Sequence, residues 1–258
     1  MNNFDITFKW IGAATWVLTI DELKIACDPS LCARDTEIDL KYFKAIRRTN
    51  PNYSPSDFEN VDYWFLTHNH ADHIDNQGIS KISKQSNIFS HKSLKSRLNR
   101  LHDMNIYYLK WNNKKYISNK SLNIEIEAIP CIHGSNTISS ILSGGCNGYW
   151  IKLIKADNTL DIYITGDTIF HQRVSKVINN RKVDIIIPNM GGSGLGKFGG
   201  PFTLTAEIFK QFLDLVNPKV ILPVHHTSFS MFKESIKVLY KLNDKRIIKF
   251  SEGETINI

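Results

Sequence analysis

Four side chains able to bind metal fall within six residues, His68-Asn69-His70-Ala71-Asp72-His73. The apolar run Tyr63-Trp64-Phe65-Leu66 precedes them and reads as a buried strand, with Thr67 turning the chain into the loop. Two His one residue apart can face the same way and grip one ion, while Asp72 and His73 reach towards a second. A mixed imidazole and carboxylate set suits zinc; manganese and iron also suit it.

Two ions need more ligands than one loop supplies, and further candidates stand just after other apolar runs. Ile124–Ile129 leads through Pro130 to His133, Asp161–Thr165 leads through Gly166 to Asp167, and Val220–Val224 leads to His225 and His226. Strand ends gather along one sheet edge, so these groups can meet although they are far apart in sequence.

In this order the motifs resemble the metallo-β-lactamase-fold superfamily. The HxHxDH motif of that family matches His68, His70, Asp72 and His73, its later His matches His133, and its bridging Asp matches Asp167 in Thr165-Gly166-Asp167-Thr168. Its last His matches His225, and an early strand-ending Asp matches Asp28 in Ala26-Cys27-Asp28-Pro29. Three stretches look most like the branch of ascorbate-6-phosphate lactonases and N-acyl-phosphatidylethanolamine phospholipase D-like proteins. These are Trp10–Thr15, Ala71–Asp75 and Pro223–Phe229, with Ala13 where that branch often has His.

The resemblance implies a four-layer αββα sandwich, two mixed β-sheets with helices outside; periodicity alone gives only mixed α/β. It also implies a dinuclear metal site, with one ion on His68, His70 and His133, the other on Asp72, His73 and His225, and Asp167 bridging. A water shared by two ions becomes a bridging hydroxide nucleophile near neutral pH. Asp72 is then also a proton acceptor and His226 a proton donor, and Asp28 and Asp75 are expected to hold ligand imidazoles. His225 is preferred to His226 as ligand because it directly follows the strand and matches the family position. The expected activity is metal-dependent hydrolysis of a small ester, lactone or phosphodiester. The alternatives are a nuclease of the same fold, which usually carries an added clamping domain that this chain has little room for, and a non-catalytic metal-binding member, against which the complete ligand set argues.

The elements that must position these groups follow from the pattern. The chain of 258 residues allows one large domain. Residues 5–28 read as a β meander, and 29–60, with Pro29, Pro51 and Pro55, as an irregular excursion at the site's rim, with a short helix around Leu40 to Arg47. Helices are expected over Asn76–Ser83, Lys92–Leu101, Thr168–Ile178, Thr203–Val216 and Met231–Leu242, and a strand at Ile247–Phe250 closes the chain. Asp62–His68 and Lys219–His225 echo each other, each an apolar strand delivering a His.

A net charge of +7 invites a nucleic-acid reading, but the cations are scattered and mostly Lys, so solvated faces are expected rather than specific nucleic-acid binding. Arg47, Arg48 and Lys197 are candidates for gripping an anionic small-molecule substrate. Cys27, Cys32, Cys131 and Cys146 lack CxxC spacing and read as reduced, packed thiols. Gly191–Lys197 approaches a phosphate-binding GxxxxGK loop, but Phe198 stands where Ser or Thr must hold magnesium, and Gly199-Gly200-Pro201 prolongs the loop where a helix should begin. No stretch approaches the roughly 20 apolar residues of a membrane span. The first residues show no signal peptide, so a cytoplasmic location is expected. Oligomeric state is left open, a homo-oligomer included.

Overall fold

The computed structural model describes residues 3–41, 43–119, 122–134, 144–194 and 200–258. Three antiparallel strands, β1 (Ile6–Gly12), β2 (Thr15–Ile20) and β3 (Leu23–Cys27), form the expected meander. A small hairpin follows, β4 (Glu37–Asp39) and β5 (Lys44–Ile46). Then come β6 (Tyr63–Leu66), α1 (Asn76–Ile79), β7 (Asn87–Ser90), β8 (Asn105–Tyr108) and β9 (Lys114–Asn119). The second half adds β10 (Leu122–Pro130), β11 (Asn147–Lys155), β12 (Asn158–Ile164), α2 (Gln172–Ile178) and β13 (Ile185–Ile187). It ends with α3 (Ala206–Val216), β14 (Val220–Ile221), α4 (Ile236–Tyr240) and β15 (Thr255–Asn257).

Seven strands make one sheet in the order β15-β1-β2-β3-β6-β7-β8, and six make the other in the order β14-β13-β12-β11-β10-β9. Side chains alternate between faces along each strand, so each sheet has an inner and an outer apolar set. Phe8, Trp16, Leu18, Phe65 and Phe89 of the first sheet share one core with Ile126, Tyr149, Ile151 and Ile162 of the second. On the outer face of the second sheet, Trp150, Tyr163 and Ile186 pack on Val174 and Ile178 of α2 and on Phe209 and Phe212 of α3. On the outer face of the first, Val17, Ala26, Trp64 and Ile88 meet Ile79, Leu94 and Leu98. The result is the expected αββα layering with a thin helical layer on the first sheet. Among the described residues no helix is long and apolar enough to cross a membrane.

Several local expectations are corrected. Leu40 to Arg47 is not helical: Ile38↔Ala45 and its neighbours pair across a hairpin whose turn passes Lys41 at φ 72°. Ile38 and Ala45 are its buried positions, a two-residue alternation that selects strand. Lys92–Leu101 keeps its buried Leu94 and Leu98 but forms two separate 3-10 turns, Lys92–Leu94 and Arg97–Leu101. The helix after the metal loop ends at Ile79, and α2 and α4 begin only at Gln172 and Ile236. Ile247 makes one bridge to Ile221, and the closing strand is instead β15, paired to β1. Edge strand β9 has exposed and half-buried residues alternating.

The sheets also correct the internal echo. An antiparallel meander followed by a parallel strand occurs twice, as β1-β2-β3 then β6 and as β10-β11-β12 then β13. The counterpart of β6 is therefore β13 rather than β14, and Asp28 after β3 corresponds to Asp167 after β12.

Candidate metal centre

The site forms where strands of both sheets end. Beyond β6, Thr67 donates its amide to Asp28 Oδ1 at 2.7 Å and its hydroxyl to Asp28 Oδ2 at 2.6 Å. The chain then coils through one turn, with the amides of His73 and Ile74 both donating to the His70 carbonyl. That turn aims His68, His70, Asp72 and His73 into the interior. Ile132 donates its amide to Thr168 Oγ1, and Ile169 donates to the Ile132 carbonyl, which fastens the His133 segment beside Asp167. His225 is held at φ 63°, an uncommon conformation for a non-glycine residue, with its amide donating to the Ala13 carbonyl. Strain of this kind concentrates at functional positions.

Two groups of ligand atoms result, His68, His70 and His133 in one and Asp72, His73, Asp167 and His225 in the other, each within 4.8 Å internally. His68 Nε2 and His133 Nε2 approach His70 Nδ1 at 2.8 and 3.2 Å. Asp167 Oδ2 lies 3.2 Å from His73 Nε2, 3.7 Å from His133 Nε2 and 4.0 Å from His68 Nε2, so one carboxylate stands between the groups. His225 Nε2 is 3.1 Å from Asp72 Oδ2 and 3.8 Å from Asp167 Oδ1.

The far ring nitrogens are occupied. His73 Nδ1 donates to Asp28 Oδ2 at 2.7 Å, and His68 Nδ1 contacts Thr67 Oγ1 at 2.9 Å. His133 Nδ1 donates to the Phe202 carbonyl at 2.8 Å, and His225 Nδ1 to the Met190 carbonyl at 3.2 Å. For His68, His133 and His225 such a bond puts the proton on Nδ1 and leaves the Nε2 lone pair facing the centre, as a metal ligand requires; at His73 it fixes Nε2 towards the same centre, where a cation would replace any proton.

Electrostatics agree with cation binding. Burial, reinforced by His73 and His70, pushes the His68 imidazole well below its ordinary pKa. Burial with His133 brings His70 down to about 3, and burial also lowers His133. These three are neutral donors at physiological pH. Burial opposes a charge on His73, but Asp167, Asp72 and Asp28 outweigh it and raise the imidazole well above its ordinary value. Burial likewise opposes ionisation of Asp167, but the His225 and His73 imidazoles hold its carboxyl well below the usual range. Asp72 Oδ1 and His73 Nε2 are buried without a hydrogen-bond partner. Orphaned polar atoms in a buried cluster rich in carboxylates fit divalent cations.

Asp75 and Arg47 are placed differently from expectation. Among the described residues Asp75 makes no hydrogen bond or ion pair with an imidazole. Its Oδ2 accepts the amides of Leu31 and Cys32 at 2.6 and 2.7 Å, and its Oδ1 caps α1 through the Gly78 amide. Arg47 does not face substrate: it is fully buried, bonded to the Thr49 and Ser30 carbonyls and lying over Phe229. The Gly12 position, at φ +136°, lets the guanidinium approach, since a Cβ there would sit 3.0 Å from Arg47 Nη2. Arg48 is exposed, and its amide pairs with the Ser228 carbonyl. Lys197 lies outside the described residues. His226 stands outside both ligand groups, with its ring 4.4 Å from Trp10 and Nδ1 2.6 Å from Thr227 Oγ1. Cys131 and Cys146 are buried free thiols outside both groups.

Asn189 escaped the sequence reading. Its Nδ2 donates to Asp167 Oδ1 at 2.8 Å, while its amide donates to Thr165 Oγ1 at 3.0 Å. The available signal was the rule that gave His68: a polar residue just beyond an apolar strand, here Ile185-Ile186-Ile187-Pro188-Asn189.

A family model described as the beta-lactamase superfamily domain matches residues 7–225. A UPF0173 metal-dependent hydrolase of Thermodesulfovibrio yellowstonii is 25% identical over 222 residues, 77% of this chain and 76% of the relative. One from Caldivirga maquilingensis is 22% identical over 264 residues, 97% of each chain. Among solved structures, a possible metal-dependent hydrolase from Veillonella parvula superposes with a TM-score of 0.80 at 20% identity, covering 99% of both chains. An isothiocyanate hydrolase from Delia radicum gut bacteria gives 0.78 at 23% identity, covering 97% of this chain and 98% of that one. The fold is the metallo-β-lactamase fold, and the chain belongs to the beta-lactamase superfamily.

Proposed function

We propose that the chain is a metal-dependent hydrolase with a dinuclear site, zinc the foremost metal, acting on a small ester, lactone or phosphodiester. The observation that carries this reading is the pair of facing ligand groups with Asp167 between them. His68, His70 and His133 would hold one ion, Asp72, His73 and His225 the other, and Asp167 would contact both. When bound, the ions supply an activated water at neutral pH and polarise the substrate's carbonyl or phosphoryl oxygen. Asp28, Thr67 and the Phe202 and Met190 carbonyls keep the imidazole lone pairs aimed inward, so nothing need reorganise as substrate arrives. Asp72, with Oδ1 uncommitted, is the proton acceptor of this scheme. Burial, reinforced by His225, brings the His226 imidazole down to about 3, so it is neutral at physiological pH and offers the scheme a hydrogen bond through its partnerless Nε2 rather than a proton. The likeness of Trp10–Thr15, Ala71–Asp75 and Pro223–Phe229 to lactonases and phospholipase D-like proteins supports testing lactones and phosphodiesters first.

Elemental analysis of purified protein should find about two divalent ions per chain. Asp167→Ala should lose metal and turnover together, with kcat falling about 1,000-fold or more. An Asp167→Ala protein that keeps both ions and full activity refutes the bridging role.

A further inference from the structure

A cavity of ≈ 240 Å³ opens beside the metal groups, with the ligand His70 in its wall. It is smaller than the roughly 300–1,000 Å³ of pockets for drug-sized ligands, so it suits a small substrate. Asn69, Ser93 and the Gly144–Gly145 backbone give it neutral polar walls, and Asp39, Lys41 and Arg97 are its charged lining residues.

Arg97 is the distinctive one. It stands at the start of the 3-10 turn Arg97–Leu101, half-buried, and its Nη1 donates to the Ile74 carbonyl at the end of the metal loop. That bond fixes the guanidinium against the loop carrying four candidate ligands. Among the described residues no carboxylate lies within ion-pair distance of Arg97, whereas Arg181 and Arg246 are paired with Glu127 and Asp244. Asp39, the carboxylate in the lining, spends Oδ1 on the Lys41 amide at 2.7 Å. Asp75 acts on this guanidinium only from beyond ion-pair distance, and Arg100 adds a like charge. A guanidinium held in place without a paired carboxylate, at the wall of a small cavity, is built to receive one from outside, because its planar donor fork matches carboxylate and phosphate oxygens.

Resting on the hydrolase reading above, we infer that Arg97 is the anion-recognising residue of this pocket, and that the substrate carries a carboxylate or phosphate group apart from the bond that is cleaved. Anion recognition thus moves from Arg47, which is buried in the packing behind the site, to a residue within the segment Lys92–Leu101, where the pattern suggests only a helix.

The test compares p-nitrophenyl hydrogen succinate, an ester with a free carboxylate, with p-nitrophenyl acetate, which has none, on metal-loaded protein. The wild type should prefer the half-ester. Arg97→Met should raise its KM about 10- to 100-fold, leave kcat nearly unchanged, and alter acetate hydrolysis by less than about threefold. Arg97→Lys, which retains a donor for Ile74 and a charge, should recover part of the lost affinity. Binding of succinamate, a lone carboxylate without a scissile ester, is measured calorimetrically in parallel, with metal content and thermal midpoint recorded for each variant. If neither ester is hydrolysed yet the wild type binds succinamate and Arg97→Met does not, the ester form of the hydrolase reading has failed and the anion site stands. Equal losses on both esters, no wild-type preference for the half-ester, a larger loss in Lys41→Ala than in Arg97→Met, or succinamate binding indifferent to Arg97 overturns the inference.

Discussion

Asp28 shows how much one residue behind a site can carry. It is fully buried and accepts from the Thr67 amide, the Thr67 hydroxyl and His73 Nδ1. Asp28→Ala removes every acceptor at once and leaves buried donors unpaired. It should cost about 3 kcal/mol of stability and weaken metal binding about 10- to 100-fold, as read by thermal melts and by competition with a chelator. Asn189→Ala should separate the two effects. It frees Asp167 Oδ1 while leaving the amide bond to Thr165 in place, so metal affinity should fall about tenfold with stability lowered by about 1 kcal/mol. Equal metal affinity in Asn189→Ala and wild type would show that Asp167 is positioned without it.

At the scale of elements, the metal loop is locked through α1, a helix too short to stand alone. Asp75 caps it and at the same time gathers the Leu31 and Cys32 amides, tying the segment after β3 to the segment after β6. Gly78 completes the lock, because a Cβ there would lie 1.7 Å from the Pro29 carbonyl oxygen. Gly78→Ala should therefore destabilise the protein by about 3 kcal/mol despite the better helix propensity of Ala, measured by denaturant unfolding. An unchanged midpoint would mean that the Pro29 segment moves aside freely. Beyond β7, the His91 ring accepts the Ser93 amide, and burial, helped by Lys92, lowers its pKa to about 4. Its unfolded value is near 6.5. The unfolded chain therefore binds the extra proton between pH 6.5 and 4, and His91 withdraws stability as pH falls through that window. His91→Gln should show a shallower loss of thermal midpoint over the same range; a parallel loss would remove His91 as a source of the acid sensitivity.

Across the whole molecule, each ligand group draws on both halves of the chain: His68 and His70 with His133, Asp72 and His73 with Asp167 and His225. Bound ions would then cross-link the two sheets at their shared rim. Chelation should lower the thermal midpoint of the whole protein by about 10 °C, given roughly 4 kcal/mol of linkage at a thousandfold excess over Kd and 2–4 °C per kcal/mol at this size. A melt indifferent to chelator and to added zinc would count against ions bridging the halves. The same geometry explains what was legible beforehand. His68, His70, Asp72, His73, His133, Asp167 and His225 could be chosen from the chain because each stands just beyond an apolar strand, and strand ends share an edge. Strand and ligand alike are written in local pattern, so the metal groups and the two-sheet architecture followed from residue type, spacing and family likeness. The roles of Asp75, Arg47, Asn189 and Arg97 did not, since each depends on which backbone lies across from it, and that is set by distant segments. The hairpin at Glu37–Ile46 and the closing strand Thr255–Asn257 were hidden for the same reason: short segments with weak propensity take the form that an open edge or a neighbouring surface offers them. The sequence by itself determined which side chains can hold metal and that they end strands. Only the tertiary structure decided which carboxylates serve imidazoles and which serve backbone, and which arginine is sealed in the packing and which reaches the cavity, because hydrogen-bond partners and burial are properties of assembled surfaces.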